Sequence, residues 1–408
     1  MQALRQPVAA PAPSRLDDPA ALADIARRVR PLPPGEAEIA HARTAWAWFT
    51  HHTSASGFGP ASDNDPSLSP WEMGSTLFAI TSAERLRLIA PKVAARHLAT
   101  CLDGLARLKI GTDSLPGLAY HHATLKPLVG NGGVSGWSAG GIMRLVAGFI
   151  AVATHFPNLG ESLAAILNHW RLDHLLEDGR FRSARPGKED RTTHADLFLG
   201  AEQYAARTAS LIKLPASNAR DPRPVLRHQD WRGLPLPGDR RQGGAAPPVT
   251  SPEPFLLDAL EYGWQAEMLE IAASIAVAEK ARYMQTGRLT ALADDPLDRA
   301  PGFACSGILA GCASFATRSR DGTSPAGPPC LSAKAAFAWW ALLPTPYARK
   351  RLDAVEGLAT KRGWLAGIHE DSLQANRVLS LNTNAMILEA LHYRALGPFV
   401  PLAPPPQT

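Results

Sequence analysis

The chain has 408 residues, 45% of them hydrophobic and 19% charged, which is enough to bury a core and excludes an intrinsically disordered chain. Its 42 Lys and Arg residues against 37 Asp and Glu residues give a formal net charge of +5, yet they form no long basic stripe, so we expect no nucleic-acid partner. Four Cys residues without a Cys-x-x-Cys pair exclude a disulfide scaffold and a zinc ribbon, and no apolar run reaches the roughly 18 residues of a membrane span.

The two ends of the chain differ in composition from the middle. Residues 1–13 contain one Arg and no apolar segment of the length found in secretory signals, so the sequence as written predicts a cytoplasmic protein. A misplaced start codon would instead make it periplasmic. We predict a partly helical extension at 1–35, one domain at 36–397 and a Pro-rich tail at 398–408.

Helical periodicity dominates the chain from its first ordered segment onward. The segment 17–30 begins with Asp and ends with Arg, as the helix dipole favours. Later segments repeat apolar residues at three- and four-residue spacing. The pattern predicts about eleven or twelve helices, at 17–30, 36–50, 71–89, 92–108, 138–155, 160–176, 196–211, 254–264, 267–286, 332–343, 345–360 and 383–393.

Strand signals are scarce, with candidates only at 234–236 and 288–292. The absence of βαβ alternation argues against a Rossmann fold and a TIM barrel. Many helix pairs are compatible with a helical solenoid or with a closed double ring. Because no fixed-period repeat is visible and the loops are of uneven length, we favour the ring, an all-α fold with at most short β ribbons.

One segment, 215–254, breaks the helical pattern because it is rich in Pro, Gly and Arg. It is either a linker between domains or a long ordered loop. Trp231, Leu234 and Leu236 give the segment apolar surface to bury. We therefore favour an ordered loop inside a single domain.

Two motifs suggest chemistry that we do not adopt. Residues 136–140 match the G-x-S-x-G pattern of serine hydrolases, but no strand precedes Ser138, which suits a helix N-cap better. The adjacent pairs His51/His52 and His121/His122 have no acidic ligand at helical spacing. We predict neither a metal site nor a cofactor.

Acidic residues beside aromatic or Gly residues stand at the start of several predicted helices. Cleavage of a glycosidic bond uses two carboxyl groups, and sugars pack on exposed aromatic rings. In a ring of paired helices, the ends of the inner helices face one pocket, so these acids can meet there. Any one of them alone is more often a solvated helix cap than a catalyst. The candidates are Glu72, Glu202, Glu253, Asp258, Glu261, Asp294, Asp295, Asp298, Glu370 and Asp371.

The order and spacing of several segments resemble a known bacterial family. These segments are SPWEMGS at 69–75, GWSAGGIMRL at 136–145, EQYAARTASL at 202–211 and the stretch 363–394, which includes GWLAGIHED and NTN. They resemble the family called domain of unknown function 3131, over roughly 36–395. The resemblance implies an (α/α)₆ toroid like those of glucoamylase-type enzymes and β-1,2-glucan-acting hydrolases. It also implies a link to exopolysaccharide or cell-envelope glycans.

The resemblance also suggests site residues. The candidate catalytic acids are Glu72, Glu202 and Glu370. The candidate substrate-binding residues are Trp71, Tyr120, Trp137, Tyr204, Arg207, Trp364, Asn382 and Asn384. We therefore expect a glycoside hydrolase-like protein whose partner is an oligo- or polysaccharide, a bacterial glucan or exopolysaccharide.

One position departs from the family pattern. The family's helix commonly reads Trp-Ser-Ala-Leu-Asp, whereas this chain reads Trp-Ser-Ala-Gly-Gly and has Gly141 in place of the acid. If that acid is catalytic in relatives, this protein binds glycan without cutting it. A non-catalytic glycan-binding or polysaccharide-assembly protein on the same fold is therefore the alternative. The oligomeric state is left open.

Overall fold

The computed structural model describes residues 18–128, 136–186, 191–195, 197–231, 233–241, 249–309, 314–319, 325 and 327–401. Residues 1–17 of the predicted extension and residues 402–408 of the predicted tail lie outside them. Thirteen α-helices occur in the described residues: α1 Pro19–Arg28, α2 Glu36–His52, α3 Pro70–Arg85, α4 Pro91–Ala106, α5 Ala139–His155, α6 Gly160–Asn168, α7 Ala201–Leu211, α8 Ser217–Arg220, α9 Glu253–Tyr262, α10 Ala266–Thr286, α11 Ala333–Leu342, α12 Pro346–Val355 and α13 Leu381–Leu396.

Six of these helices form a closed inner ring. Helix α3 packs on α5, α5 on α7, α7 on α9, α9 on α11, α11 on α13, and α13 returns to α3. An outer layer alternates with them along the chain, with α2 on α13, α4 on α3, α6 on α5, α8 on α7, α10 on α9 and α12 on α11. The double ring is an (α/α)₆ toroid, and α1 packs outside it against α10.

The inner helices are buried on all sides, which their sequences explain. All ten residues of α11, AKAAFAWWAL, are buried, and a helix that is apolar all round belongs in the interior. Close packing of α3 against α5 depends on glycine. A Cβ on Gly74 would lie 2.5 Å from the carbonyl oxygen of Arg144, so any side chain there would push the two helices apart.

The prediction of an all-α protein is only partly right, because sheets of up to four strands accompany the ring. The longest strands, FACSGIL and GWLAGIH, are largely buried and contain no polar–apolar alternation, so the sequence gives no period-two signal. Sixteen strands occur in the described residues: β1 Ser67–Leu68, β2 Tyr120–His121, β3 Leu176–Glu177, β4 Arg180–Phe181, β5 Ser183–Pro186, β6 Arg191–His194, β7 Leu226–Trp231, β8 Leu234–Asp239, β9 Val249–Thr250, β10 Asp294–Pro296, β11 Phe303–Leu309, β12 Ser314–Ser319, β13 Cys330–Ser332, β14 Ala359–Thr360, β15 Gly363–His369 and β16 Ala375–Leu379.

The larger sheets follow a simple antiparallel order. Strand β11 lies between β10 and β12 and also pairs with β9. Strand β15 pairs with β13, β14 and β16. Since β9 lies just before α9, and β13 leads directly into α11, these sheets flank the end of the ring at which the inner helices begin.

The Pro-, Gly- and Arg-rich segment contains a hairpin of β7 and β8. Leu236 is buried, and the Trp231 ring meets Phe315 of β12 edge-on at 5.3 Å between centroids. Residues 232 and 242–248 of this segment lie outside the described residues. None of the described helices combines the length and the low polarity that crossing a bilayer requires.

Candidate functional site

A cavity of about 860 Å³ lies at the end of the ring where the inner helices begin. The first turns of α3, α9, α11 and α13 line it, together with the N-cap residue of α5 and parts of β5, β10, β11 and β12. Helix N-termini carry partial positive charge from unpaired N–H groups, so this end of the ring favours carboxylates and oxygen-rich ligands. The charged side chains of the lining are Glu72, Arg185, Glu253, Asp294 and Lys334.

Glu72 is fixed between two inner helices. Its sequence context, Ser-Pro-Trp-Glu, forms a capping box at the start of α3. Its Oε2 accepts hydrogen bonds from the Ser69 backbone N–H, at 2.9 Å, and from the Ser69 hydroxyl. Its Oε1 accepts a bond of 2.9 Å from the Asn382 side-chain amide of α13. Three donors therefore hold this carboxyl in one orientation at the cavity wall.

Glu253, Asp294 and Asp295 gather around one buried ammonium group, that of Lys334. The Lys334 Nζ lies 2.8 Å from Glu253 Oε2 and 3.8 Å from Asp295 Oδ1, and it donates to the Asp294 carbonyl at 2.6 Å. The Asp294 backbone N–H donates to Glu253 Oε2 at 2.9 Å. The start of α9, the start of α11 and strand β10 are thus tied together by a cluster that holds three carboxyl groups against one cation.

This crowding changes the protonation of the cluster. Burial and the nearby Glu253 together raise the pKa of Asp294 to about 7, against the opposing effect of Lys334. Burial likewise raises the pKa of Asp295 to about 6. Burial lowers the pKa of Lys334, but Glu253 and Asp295 raise it by more. Asp294 Oδ1 is inaccessible to solvent and has no hydrogen-bond partner among the described residues. The Asp294 carboxyl group can therefore carry a proton near neutral pH.

A buried ion-pair network forms the centre of the ring. Arg144 of α5 donates to Glu261 of α9, to Glu389 Oε1 of α13 at 2.6 Å and to the Tyr204 hydroxyl of α7 at 3.2 Å. Its guanidinium lies 5.6 Å from the ring centroid of Trp71, which lines the cavity. Burial raises the pKa of Glu389 to about 7 although Arg144 lowers it. One arginine therefore joins three inner helices to α5.

Four of the site residues suggested by the sequence come together in the cavity: Glu72, Trp71, Trp137 and Asn382. Glu202 is not among the cavity-lining residues. Its buried Oε2 pairs with Arg180 at 3.0 Å and with Arg241 at 2.7 Å, and so it connects α7 to β4 and to the end of the β7–β8 hairpin. Burial raises the pKa of Glu202, and the two arginines oppose this.

Glu370 is also placed outside the cavity lining, in a two-pronged ion pair. The Arg282 guanidinium donates to both Glu370 oxygens at 2.6 Å, and Arg288 donates to the Glu370 carbonyl. Arg282 lies on α10, so this contact fastens the turn after β15 to an outer helix. Glu202 and Glu370 are thus separated from Glu72 by their arginine partners and by their position in the fold.

The remaining candidates lie in the interior. The Tyr120 hydroxyl donates to the Lys109 carbonyl at 2.8 Å and accepts from the Gly117 N–H. Tyr204 contacts Arg144, and its hydroxyl donates to Glu261 at 2.8 Å. These two phenols are buried and committed to partners, so the structure does not bring them to the cavity wall.

Three further candidates also serve internal contacts. Asn384 Oδ1 accepts from the Trp364 backbone N–H at 2.7 Å, and the Trp364 indole N–H donates to the His41 carbonyl at 3.1 Å. Arg207 Nη1 lies 2.7 Å from Asp258 Oδ2. None of the three is among the residues that line the 860 Å³ cavity.

Sequence reasoning missed two site residues. They are Lys334, whose ammonium group contacts Glu253 and Asp295, and Arg185 of β5. Glu253 and Asp294 appear among the sequence candidates but are not selected there. The signal for Lys334 is visible in hindsight: a single Lys stands in the apolar run AKAAFAWWAL. A Lys that is fully buried requires a counter-charge, so this pattern predicts a carboxylate partner without saying which one.

Ser138 bears on the G-x-S-x-G motif of serine hydrolases, and Gly141 bears on the alternative of a protein that binds glycan without cutting it. The Ser138 hydroxyl accepts the Gly141 N–H at 3.1 Å and caps α5, as expected for an N-cap. A Cβ at Gly141 would meet the Trp71 N atom at 3.4 Å, which is ordinary contact. A Cβ at position 141 therefore meets no clash, although Gly141 is not among the residues that line the cavity. In the described part of the chain, no group of three His, Cys, Asp or Glu residues could hold a metal ion.

Solved structures share this architecture. A glucoamylase-like protein from Bacteroides caccae is 12% identical with a TM-score of 0.64, and the match covers 93% of this chain and 94% of that one. The endo-β-1,2-glucanase of Chitinophaga pinensis, solved with sophorotriose and glucose, is 10% identical with a TM-score of 0.63 and 93% coverage of both chains. The cellobiose 2-epimerase of Bacillus thermoamylovorans is 10% identical with a TM-score of 0.54, covering 88% of this chain and 100% of that one.

These likenesses establish the fold, an (α/α)₆ toroid, and leave the reaction to be argued from the site. A comparison with curated proteins finds no match. Residues 40–397 match the family described as "Protein of unknown function (DUF3131)", and the chain belongs to that family.

Proposed function

We propose that the protein binds a bacterial glucan, or a related exopolysaccharide, in the 860 Å³ cavity and hydrolyses a glycosidic bond with Asp294 as the proton donor. One observation carries the proposal. A carboxyl group whose pKa is raised to about 7 lines a cavity that also holds two further carboxyl groups, Glu253 and Glu72. Carboxyl groups kept in different protonation states are what glycoside hydrolysis needs.

The environments of the acids suggest their roles. Asp294 gives its proton to the glycosidic oxygen as the bond to the anomeric carbon breaks. Glu253 lies against the Asp294 backbone and raises the pKa of that acid, while Lys334 compensates the charge of Glu253. Glu72 belongs to a different pair of helices, α3 and α13. We assign it the second role, removing a proton from the attacking water.

The rest of the lining suits a sugar chain. Trp71, Trp137 and Phe303 line the cavity and offer ring faces for sugar rings. The Trp137 indole N–H donates to the Arg182 carbonyl at 3.2 Å, which fixes the plane of that ring. Asn382 and the hydroxyls of Ser69 and Ser138 provide polar groups for sugar hydroxyls.

Saccharides recur among proteins with this fold, which supports the substrate class. The structure from Chitinophaga pinensis is that of an endo-β-1,2-glucanase with a bound β-glucan fragment, sophorotriose. Linear β-1,2-glucan is therefore the first substrate to test. The epimerase shares the ring but differs in reaction, so product analysis must detect isomerised sugar as well as shortened chains.

The test is incubation of the purified protein with a panel of bacterial glucans, followed by mass spectrometry of released oligosaccharides. Asp294→Asn and Glu72→Gln should each lower product release by about 100-fold or more, since proton transfer by a positioned side chain contributes about 10²–10⁴-fold. Glu370→Gln is the matched control, because its carboxyl pairs with Arg282 and does not line the cavity. Equal loss in all three variants would contradict the assigned roles.

The alternative, binding without cleavage, rests on Gly141. It predicts no products from any glucan but an increase in melting temperature with one of them. In that case Gly141→Asp, which the structure accommodates at Cβ, should introduce cleavage. Cleavage by the natural chain would eliminate this alternative.

A further inference from the structure

A second cavity, of about 980 Å³, lies at the opposite end of the ring. It is lined by residues near the ends of α7, α9 and α13 and by the start of α10, including Arg207, Tyr262, Trp264 and Pro398. Helix α9 contributes Glu253 to the first cavity and Tyr262 to the second. Ten residues of α-helix span about 15 Å, so the two cavities are separate sites.

Guanidinium groups outnumber carboxylates in this lining. Four arginines, Arg27, Arg207, Arg220 and Arg223, face two acids, Asp221 and Glu267. Arg223 pairs with Asp221 at 2.8 Å. Arg220 is exposed and forms no ion pair within the described residues, so its charge is available to a ligand.

Two N–H groups of the lining lack acceptors. Arg207 is 5% exposed, and although its Nη atoms bond to Asp258, Tyr262 and Gly263, its Nε has no partner among the described residues. The buried indole N–H of Trp264 is also without a partner in that part of the chain. Buried donors are normally satisfied, so unpaired donors beside a cavity point to a ligand that supplies oxygen acceptors.

The start of α10 adds a third source of donors. This helix has 21 residues, and its N-cap Gln265 makes no side-chain capping bond. The first N–H groups of a helix without such a cap are free to bind an anion. Glu267 in the first turn reduces the positive potential, and the nearby Arg223 partly offsets that charge.

We propose that this second cavity binds the phosphate or carboxylate group of a small molecule. Arg220 supplies the charge, and the Arg207 Nε, the Trp264 indole and the α10 amides supply hydrogen bonds to its oxygens. A cavity of this volume also has room for a sugar ring attached to the anion, with Trp264 and the prolines as apolar contacts.

Isothermal titration calorimetry on the full chain tests the proposal, with inorganic phosphate, glucose 6-phosphate, glucuronate and glucose as probes. We expect binding of a phosphate or of glucuronate and none of glucose; the arms with phosphate and with glucuronate distinguish the two anions. Binding should weaken with added salt. Arg220→Ala should raise the Kd about tenfold or more, because a hydrogen bond to a charged group is being removed.

Trp264→Phe keeps the aromatic ring but removes its N–H, and should also raise the Kd. Arg171→Ala is the control, since Arg171 is an exposed arginine paired with Asp173 and is absent from the cavity lining. Absence of binding by all three anions, a Kd unchanged in Arg220→Ala, or equal binding of glucose would each overturn the proposal. The experiment measures anion binding alone. Its result therefore tests this proposal separately from the proposal of glucan hydrolysis.

Discussion

Asp294 shows how a single residue acquires chemistry from its surroundings. Its burial and its neighbour Glu253 both disfavour the charged form, and Lys334 only partly restores it. Lys334 binds Glu253 more closely than it approaches any carboxyl oxygen of Asp295, at 2.8 Å against 3.8 Å. The pKa of Asp294 therefore lies near neutral pH, whereas the neighbouring Glu253 carboxyl group is paired with Lys334.

The raised pKa of Asp294 has a direct consequence for stability. Between its ordinary value of 3.8 and about 7, the folded chain binds a proton that the unfolded chain has released. This contribution to stability is therefore present at low pH and is lost as pH rises through 7. Asp294→Asn lacks this contribution. Between pH 4 and pH 8, its free energy of unfolding should therefore rise by at least about 1 kcal/mol relative to that of the natural chain.

Urea denaturation of both proteins at several pH values measures this difference. The comparison between two chains cancels the contributions of titrating groups that do not interact with Asp294. A difference in unfolding free energy that is constant with pH would show that Asp294 titrates at its ordinary value.

Part of the site in the 860 Å³ cavity could be predicted from individual residues of the sequence. Glu72 and Asn382 come from the segments SPWEMGS and Asn-Thr-Asn, in which the chain resembles its family. The Asp294–Lys334 contact joins residues 40 positions apart across a strand and a helix, and no local pattern specifies that distance. The sequence could indicate that Lys334 needs an acid and that Asp294 is one of several acids, but only the fold pairs them.

At the scale of elements, the inner helices were predictable and the strands were not. The predicted segments 138–155, 254–264 and 383–393 correspond to α5, α9 and α13 with small shifts at their ends. The strands β11 and β15 are short, buried and rich in small residues, so their partners in the sheet, rather than their own pattern, determine them.

Glu202 exemplifies an element-scale role. It joins α7 to the segment just after β8, through Arg241, and to β4, through Arg180. We predict that Glu202→Gln lowers the free energy of unfolding by roughly 1.5–3 kcal/mol, since the partly exposed Arg180 and Arg241 lose a charged hydrogen-bond partner, while Arg241 keeps Asp239. Glucan binding and product pattern should be retained.

Glu177→Gln provides the matched control. Glu177 pairs with Arg182 at 2.6 Å, but both side chains are exposed, so its loss should change stability by no more than about 1 kcal/mol. Thermal and urea unfolding of the two variants gives the comparison. A catalytic loss in Glu202→Gln without loss of stability would instead support the role suggested by the sequence.

At the scale of the whole molecule, the closed ring creates two different ends. Inner helices that each return through an outer helix all start at the same end, so their N-termini form one cavity wall and their C-termini another. The sequence predicted the ring from its helix count, its uneven loops and its resemblance to a family. It could not predict the second cavity, because that cavity is formed by the ends of three helices that are far apart in the chain.

Arg144 holds this ring together from its centre. It is 1% exposed and binds side chains from α7, α9 and α13. We predict that Arg144→Met lowers the free energy of unfolding by about 3–5 kcal/mol, because Glu261 and Glu389 lose the cation that pairs with them. Adding Glu389→Gln to that variant should recover part of the loss. A double variant less stable than Arg144→Met would contradict a network based on charge pairing.

The most direct test of the proposed function is mass spectrometry of linear β-1,2-glucan after incubation with the natural chain and with Asp294→Asn. We predict that the natural chain releases shorter oligosaccharides and that the variant releases about 100-fold less, while the variant is at least as stable as the natural chain at pH 6. Equal release by the two proteins would contradict the assignment of Asp294 as the acid. If neither protein releases products from any glucan of the panel, the hydrolase proposal is wrong.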